Sequence, residues 1–431
     1  MTEEKFEVII VGAGVAGSTA AYQLARQGLE VVLVERGPYP GAKNLSGGVL
    51  YGRVLHHLMP EFWKEAPVER SINNQVVSFL TPDSHFNIDF KTQAFNQPPF
   101  NGFTVLRAKF DHWLAAKAEE AGAILVPGIR VDSVLKREGR VVGITAGEEE
   151  MYANVVIAAD GASSFLAQKA GLREKLPTAH VGVGLKELIG LPRETIEERF
   201  RLSENEGAAY NIVGSATGGI AGGGFLYTNQ ESLSVGLVIR LEDLVEEKRK
   251  PAEIFDEFLA HPMIAPLIKD GKLLEYGAHL VPEGGLGMMP QLYTGGMLVV
   301  GDAAGFTINN GFVVRGMDLA IGSALAASQA VMEAHAKKDF SARSLSVYRQ
   351  KLEESYVMAD MRTYARAPHF LKNEHLFKAY PELITGLMSD IYRQEALPKQ
   401  HLFNTLLKNL KNNEISLFDL AKDTINGVRA L

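Results

Sequence analysis

Short runs of apolar residues recur along the chain and predict strands buried on both faces of a parallel sheet. Three of these runs lie at residues 8–11, 31–34 and 155–159, and a fourth lies at 296–300. A helical stretch at residues 18–26 separates the first two runs. This alternation predicts an α/β fold in which the second run lies beside the first, with the third run nearby.

Other segments alternate apolar and polar residues, which is typical of strands with one exposed face. They cover residues 76–90, 179–190, 225–238 and 274–281. We expect these strands to form an antiparallel sheet. Beyond about residue 341 the pattern becomes largely helical.

The interleaving of the two patterns predicts a discontinuous organisation: a Rossmann-like domain, an inserted antiparallel-sheet domain and a mainly helical C-terminal region. The predicted ranges are 1–70, 103–175 and 285–340 for the Rossmann-like domain, 71–102 and 176–284 for the antiparallel-sheet domain, and 341–431 for the helical region. We expect the helical region to be a docking site for a partner or a membrane.

A glycine-rich turn follows the first predicted strand. Gly12 permits the tight turn, Gly14 lets the backbone approach a pyrophosphate, and Gly17 lets the next helix pack closely on the sheet. Glu35 closes the second strand, where a carboxylate accepts hydrogen bonds from a ribose and disfavours a 2′-phosphate. Because the strand, turn, helix and acid occur together, the sequence predicts a dinucleotide site.

Two later strands end in Asp160-Gly161 and Gly301-Asp302, and an alanine-rich helix follows the second. Together with the first turn, they resemble the FAD-binding pattern of the glutathione-reductase-like flavoproteins, and more narrowly the group containing para-hydroxybenzoate hydroxylase. The resemblance implies that Asp302 binds the ribityl hydroxyls and that residues 311–316 lie beside the flavin. The alternative for each motif alone is an ordinary strand-to-helix turn.

The same resemblance implies an arginine near the FAD phosphates or ribose, at the start of a helix. Arg107 is the candidate, although a surface charge ahead of a helix is the simpler account. The candidate FAD-binding residues are Gly12, Gly14, Ala16, Gly17, Glu35, Arg36, Ser46, Gly47, Gly48, Arg107, Asp160, Gly161, Gly301, Asp302, Gly311 and Val314.

Composition narrows the function. The 431 residues carry a net charge of -7, so no basic field favours nucleic acid as a partner. The chain has no cysteine, which excludes disulfides and a cysteine-ligated iron–sulfur cluster on this chain. No His-rich metal spacing or serine nucleophile pattern stands out. The start of the chain does not resemble a signal peptide and no segment is apolar enough to span a bilayer, so we expect a cytoplasmic protein.

Further motifs lie at residues 43–48, 182–187, 222–227, 276–285 and 309–318. Their order resembles the electron-transfer-flavoprotein:quinone oxidoreductase family, within it the FixC-type subunit. Longer members carry a [4Fe–4S] domain that is missing here. The resemblance therefore implies non-covalent FAD, a two-subunit electron transfer flavoprotein, a separate ferredoxin-like subunit holding the cluster, and ubiquinone or menaquinone as acceptor. It also implies peripheral attachment to the inner face of the cell membrane.

Quinone reduction needs two electrons and two protons, and a flavin can pass electrons singly, so no nucleophile is required. We expect a mostly apolar pocket with a few polar groups. Gly223 and Gly224 are candidates for close approach of a flat ring, or mark a bulged strand. Tyr276, His279 and Glu283 are candidates for proton or hydrogen-bond donors, and each is also an ordinary core or rim residue type.

Three alternatives stay open. An isoprenoid reductase of the geranylgeranyl type shares the FAD pattern, but it often uses a cysteine near the flavin. An aromatic hydroxylase would need a polar phenol pocket. The chain is also compatible with a flavin relay that turns over only in an assembled complex. In the C-terminal region, Leu402, Phe403, Leu406, Leu407 and Leu410 form one apolar helix face, which either packs internally or docks outward.

Overall fold

The computed structural model describes residues 5–44 and 47–431. In this part of the chain the strands are β1 (Lys5–Val11), β2 (Val31–Glu35), β3 (Gly48–Leu50), β4 (Val68–Leu80), β5 (His85–Lys91), β6 (Phe103–Val105), β7 (Ile124–Pro127), β8 (Ser133–Arg137), β9 (Arg140–Ala146), β10 (Glu149–Ala158), β11 (Val181–Gly190), β12 (Glu206–Gly214), β13 (Gly222–Thr228), β14 (Ser232–Arg240), β15 (Lys272–Pro282), β16 (Tyr293–Thr294), β17 (Met297–Val299), β18 (Ile308–Asn309) and β19 (Val314–Arg315).

The α-helices are α1 (Val15–Ala25), α2 (Arg53–Leu58), α3 (Arg107–Glu120), α4 (Phe165–Ala170), α5 (Arg193–Phe200), α6 (Leu241–Glu247), α7 (Pro251–Leu259), α8 (Ala265–Ile268), α9 (Met317–Lys337), α10 (Ala342–Leu345), α11 (Val347–Glu353), α12 (Tyr356–Thr363), α13 (Ala367–Phe370), α14 (Ala379–Tyr392), α15 (Leu402–Asn412) and α16 (Leu417–Ala430). Short 3₁₀ turns cover Phe62–Lys64, Gln93–Asn96, Thr178–His180, Ser215–Thr217, Gly285–Met288, Gly301–Ala304 and Glu374–Leu376.

The first sheet contains a parallel core in the order β17-β10-β1-β2-β7. Val8 in β1 lies between Val155 and Val31, so the predicted adjacency of these three strands is confirmed. The parts of these strands that pair in parallel, residues 8–11, 31–34 and 155–158, are buried, as the inner strands of a parallel sheet are. Because these strands run in the same direction, their carboxyl ends lie side by side at one edge of the sheet.

Helices α1 and α9 pack against each other on this sheet, and α3 packs beside α1. Helix α9 also packs on α12, and a small residue makes that contact close. At Gly322 in α9, a Cβ would lie 2.6 Å from both Tyr356 and Val357 of α12. Tyr348 of α11 connects the helices to the sheet, since its hydroxyl donates a hydrogen bond to the carbonyl of Val299 in β17 at 2.8 Å.

The second sheet has the order β15-β11-β14-β13-β12-β4-β6-β3, and β5 pairs with β4 outside this path. The prediction of an antiparallel sheet is correct for its other strand pairs but wrong for β4 and β12, which are parallel. These two strands are far apart in sequence, and parallel pairing needs such a long crossover. Two predicted segments, 76–90 and 225–238, also contain a turn and form strand pairs rather than single strands.

Strands β3 and β6 pair with each other in the second sheet. Both come from ranges that the sequence pattern placed in the Rossmann-like domain. Their length is only 3 residues each, so they carry little alternation of their own. The proposed domain boundaries stay a prediction, with these two strands as the point where the backbone pairing departs from them.

The C-terminal region is helical from α10 to α16, as predicted. Leu383, Leu410 and Ile415 form a small core between α14 and α15. Helix α16 packs on α13, where a Cβ on Gly427 would lie 3.0 Å from the ring of Phe370. Across the described ranges, none of the helices combines the length and apolarity needed to span a bilayer.

Candidate functional site

A cavity of about 1110 Å³ lies between the carboxyl ends of the first sheet and one face of the second sheet. Open α/β sheets bind ligands at this edge. The turn after β1 and the ends of β2 and β10 form one wall, and α12 and α13 close a side through Met361, Pro368 and Phe370. At this volume the cavity lies just above the range of about 300–1,000 Å³ that single small-molecule sites usually measure.

The three glycines of the first turn have different surroundings. Gly12 has φ +103°, and a Cβ there would lie 2.3 Å from the carbonyl oxygen of Ala159. A Cβ on Gly17 would lie 1.9 Å from the oxygen of Gly12. At Gly14, the nearest atom to a Cβ is Nη2 of Arg107 at 3.7 Å. Gly12 and Gly17 therefore serve backbone packing, whereas Gly14 borders open space at the start of α1.

Glu35 braces the same turn. Its Oε2 accepts a hydrogen bond from the N–H of Ala13 at 3.0 Å, and its Oε1 accepts one from Gly37 at 2.6 Å. Each carboxylate oxygen has a further lone pair available to a ligand hydroxyl. Arg36 lies next to it on the cavity wall. The arrangement suits a ribose at the end of β2.

Arg107 begins α3 and faces the cavity. Its Nε and Nη2 donate to the two carboxylate oxygens of Asp111 at 2.7 and 2.8 Å, and Asn44 also donates to Asp111 at 2.6 Å. The bidentate pair fixes the orientation of the guanidinium. Opposite, burial raises the pKa of Asp302, the Arg107 charge opposes this, and Asp111 adds to it.

Asp160 has an unsatisfied oxygen. Its Oδ2 accepts from the N–H of Leu166 at 2.8 Å, but the buried Oδ1 has no hydrogen-bond partner within the described ranges. Burial also raises the pKa of this carboxyl. A buried polar atom without a partner is rare, so a donor from a bound molecule fits here. The cradle of Gly14, Glu35, Asp160 and Asp302 fits the hydroxyls and phosphates of FAD.

The loop before α9 forms the far wall. The side chain of Asn310 accepts from the N–H groups of Phe312 at 3.1 Å and Val313 at 2.9 Å. Arg315 holds the loop to Asp318 at 2.5 Å and to Asp360 of α12 at 2.6 Å. These contacts fix the N-terminus of α9 at the cavity, where its free N–H groups favour negative charge.

The second sheet presents its inner face as the floor of the cavity. Directly paired residues share a face, so His279, Gly184, Val238 and Gly223 form one row across β15, β11, β14 and β13. These residues line the cavity. The row combines the backbone of two glycines with one valine and one imidazole, so a flat ring can approach the sheet closely over the glycines.

The structure brings most of the predicted FAD residues to the cavity wall. Gly17 and Gly301 lie behind it, and Ser46 falls outside the described residues. The predicted residues that line the cavity are Gly12, Gly14, Ala16, Glu35, Arg36, Gly47, Gly48, Arg107, Asp160, Gly161, Asp302, Gly311 and Val314.

One quinone-site expectation needs correction. Tyr276 is 52% exposed and does not line the cavity. It lies three residues from His279 in β15, and because three is an odd number the two side chains face opposite sides of the sheet. A side chain at Gly224 would point into the core, since a Cβ there would lie 3.0 Å from Phe258. Its backbone still borders the cavity, and Gly223 faces it directly.

His279 and Glu283 do reach the cavity. Burial lowers the pKa of His279, and the charges of Arg36 and Arg107 lower it further. Burial raises the pKa of Glu283 to about 7, with Arg240 opposing the shift. His279 is therefore largely neutral near pH 7, whereas Glu283 is about half protonated there and can exchange a proton.

Four residues that line the cavity were missed by sequence reasoning. Lys186 and Arg240 lie on the inner face of the second sheet, and Leu371 and Leu431 approach Gly311 from the C-terminal region. The alternation of β11 could have placed Lys186 beside Gly184 on one face. No local signal connects Leu371 or Leu431 to a loop in another part of the chain.

Three protein-family models match the chain. A model described as FAD dependent oxidoreductase matches residues 7–183. One described as ETF-QO, ubiquinone-binding, matches residues 181–281, and the ETF-QO/FixC family C-terminal domain matches residues 367–431. The first match includes the glycine-rich turn and Asp160, and the second includes most of the cavity floor.

Curated relatives match over the full length. The probable electron transfer flavoprotein-quinone oxidoreductase YdiS of Escherichia coli K12 and the protein FixC of Salmonella typhi are each 45% identical over 431 residues, covering 100% of both chains. Among solved structures, a geranylgeranyl bacteriochlorophyll reductase-like protein of Thermoplasma acidophilum has TM-score 0.73 and 21% identity, covering 99% of this chain and 100% of its own. The myxobacterial halogenase CndH has TM-score 0.64 and 18% identity, with 99% and 91% coverage. These two structures show the fold alone.

The flavin assignment predicts selective loss of cofactor. Gly14→Val fills the open space next to α1, and Asp302→Ala removes a hydrogen-bonding carboxylate, so each should weaken FAD binding by about 10- to 100-fold. The measurement is the flavin-to-protein absorbance ratio after gel filtration. Gly287→Ala and Asp256→Ala, at positions outside the cavity, are the controls and should keep their flavin. Full occupancy in both test variants would contradict the assignment.

The raised pKa of Glu283 predicts that the stability of the folded protein depends on pH. Its pKa is raised from 4.5 to about 7, so its contribution to stability is full below pH 4.5 and is lost as the pH rises through about 7. Glu283→Gln removes this titration, and its melting temperature should rise relative to wild type between those pH values. The exposed Glu246→Gln is the control and should follow wild type. A Glu283→Gln difference that is constant with pH would contradict a buried titrating carboxyl.

Proposed function

This chain belongs to the ETF-QO/FixC family of FAD-dependent oxidoreductases, and on that premise we propose that it passes electrons from an electron transfer flavoprotein to a membrane quinone. The observation that carries the proposal is the single cavity that joins two kinds of wall. One wall has glycine turns and carboxylates suited to FAD. The other is a sheet face, mostly apolar, suited to a quinone ring.

FAD is held non-covalently in this proposal. Gly14 and the start of α1 face the phosphates, Glu35 accepts from the adenosine ribose, and Asp302 accepts from the ribityl chain. Arg107 adds a fixed positive charge, held in place by Asp111. When bound, FAD supplies the ability to accept electrons and to release them one or two at a time.

The quinone ring occupies the space above the row that contains Gly184 and Gly223. Glycine backbone and Val238 offer a flat apolar surface, His279 ends the row, and Glu283 lies beside the row against Gly182. Reducing a quinone to a quinol consumes two electrons and two protons. Protonated Glu283 can supply one proton to a quinone oxygen and regain it from water, and the neutral imidazole of His279 can donate a hydrogen bond from its ring N–H. The second proton is taken from water.

The partners are a two-subunit electron transfer flavoprotein and a separate ferredoxin-like subunit that holds the [4Fe–4S] cluster. The relatives' names support the first partner. The second rests on the resemblance to the FixC-type branch, which uses a separate ferredoxin-like subunit, and the 431 residues agree with it because they contain no cysteine to ligate a cluster. The cluster must then lie on another chain if electrons pass through one.

Attachment to the inner face of the membrane is the remaining part of the proposal. The predicted apolar face of α15 divides in two: Leu410 is buried against α14, whereas Leu402 and Phe403 are 62% and 61% exposed. Phe418 and Val428 in α16 are 75% and 82% exposed. Lysines at 399, 408 and 411 flank the exposed residues, which suits an anionic lipid surface.

No observation specifically supports the alternative of an isoprenoid reductase. Its structural likeness, at 21% identity, shows the fold alone. The full-length relatives at 45% identity carry electron-transfer names instead.

The proposed function is tested by its partners and its acceptor. The chain, tagged in its native host and purified anaerobically in mild detergent, should bring down an electron transfer flavoprotein pair and a small ferredoxin-like protein. The assembled complex should reduce a soluble quinone analogue, and Gly14→Val should abolish that turnover. A flavoprotein recovered repeatedly without either partner would contradict the proposal, and so would an intact complex that cannot reduce any quinone.

A further inference from the structure

Lys186 occupies an unusual position for a lysine. It lies in the middle of β11 on the inner face of the second sheet, and it lines the cavity. The residue is only 4% exposed. Lysines are almost never fully buried unless an opposite charge pairs with them, because removing an ammonium from water is costly. A lysine in this place needs a reason other than solubility.

The neighbours of Lys186 leave room for a long side chain but do not neutralise it. Its direct partners across the sheet are Gly236 in β14 and Gly277 in β15. The ammonium donates a hydrogen bond to the carbonyl oxygen of Gly47, and it lies 5.6 Å from the centre of the Phe225 ring. Within the described ranges, none of the ion pairs includes Lys186.

Phe225 and Gly236 together cover the side chain. A Cβ on Gly236 would lie 2.4 Å from the Phe225 ring, so glycine at this position lets the ring lie flat beside Lys186. The ring face attracts a cation but supplies no acceptor for its protons. The ammonium thus lies between an aromatic face and one backbone carbonyl.

The charged and titratable groups around Lys186 favour proton exchange. Burial is the largest influence and lowers the pKa of Lys186 to about 7. Glu275 of β15 opposes this shift, and Arg107 across the cavity adds to it. His279 of β15 lies two residues from the Gly277 position that faces Lys186, and burial keeps its imidazole neutral. The side chain can therefore gain or lose a proton around neutral pH.

We propose that Lys186 is a positioning residue that couples the charge on the reduced flavin to the uptake of one proton from water. Protonated, its ammonium stabilises the negative charge that electrons bring into the cavity next to residues 47 and 48. Neutral, the amine takes up one proton when electrons arrive from the electron transfer flavoprotein, forming one N–H bond. The inference rests on the proposed binding of FAD in this cavity.

A purely structural account is the alternative. In that account Lys186 only ties the carbonyl of Gly47 to the sheet, and its charge has no influence on electron transfer. An arginine would keep such a tie and keep the charge at every pH, because guanidinium does not lose its proton. A methionine would fill the same volume without charge. Comparing these two substitutions separates the hydrogen bond to the carbonyl of Gly47 from the gain and loss of a proton.

The test is the midpoint reduction potential of bound FAD between pH 5.5 and 9, measured on wild type, Lys186→Met and Lys186→Arg. The wild-type potential should match that of Lys186→Arg at the acid end, where both side chains are charged. It should fall toward that of Lys186→Met at the alkaline end, where neither is charged. Lys43→Met, which removes an exposed cation from the rim of the same cavity, is the control and should keep the wild-type curve shape.

The outcomes are distinct. Curves that stay parallel for all three proteins would overturn the inference, because Lys186 would then hold a fixed charge state. Identical potentials would overturn it as well. Retained flavin absorbance shows that each variant is folded and loaded, so these results would leave the proposed function standing. Wild-type protein that binds no flavin would instead contradict the proposed function and, with it, this inference.

Discussion

The close contact between the turn after β1 and the end of β10 is the constraint on which the rest of the site depends. A side chain at Gly12 would collide with the carbonyl of Ala159, and one at Gly17 would collide with Gly12 itself. The two glycines let α1 start directly at the edge of the sheet. The free N–H groups of α1 then point into the cavity, and Glu35, Asp160 and the loop before α9 are arranged around them.

A second feature is the number of ionisable groups in a mostly apolar cavity. Asp160, Asp302 and Glu283 all have pKa values raised by burial, and Lys186 has a lowered one. Each costs stability unless a ligand or a proton satisfies it. Their concentration between the two sheets is therefore a property of a functional site rather than of a core. The C-terminal helices close this region from one side, which limits its access to water.

Much of the fold was predictable because its signals are local. The apolar runs gave β1, β2 and β10, and the Gly-Asp pairs gave the two later walls of the site. Pairing across the second sheet was less accessible, since the parallel contact of β4 with β12 depends on residues far apart in sequence. A one-residue offset decides which face a strand residue occupies, which is why His279 reaches the cavity and Tyr276 does not. Lys186 escaped notice because a lysine in an alternating strand is usually on the solvent face.

The central claim is that one cavity holds FAD against the first sheet and a quinone against the second. The most direct measurement is an experimental structure of the FAD-loaded protein with a short-chain quinone. The account predicts flavin density running from Gly14 to Asp302, and the quinone ring between the flavin and the row containing Gly184 and Gly223. A flavin located elsewhere, or a quinone bound on the outer face of the second sheet, would contradict it.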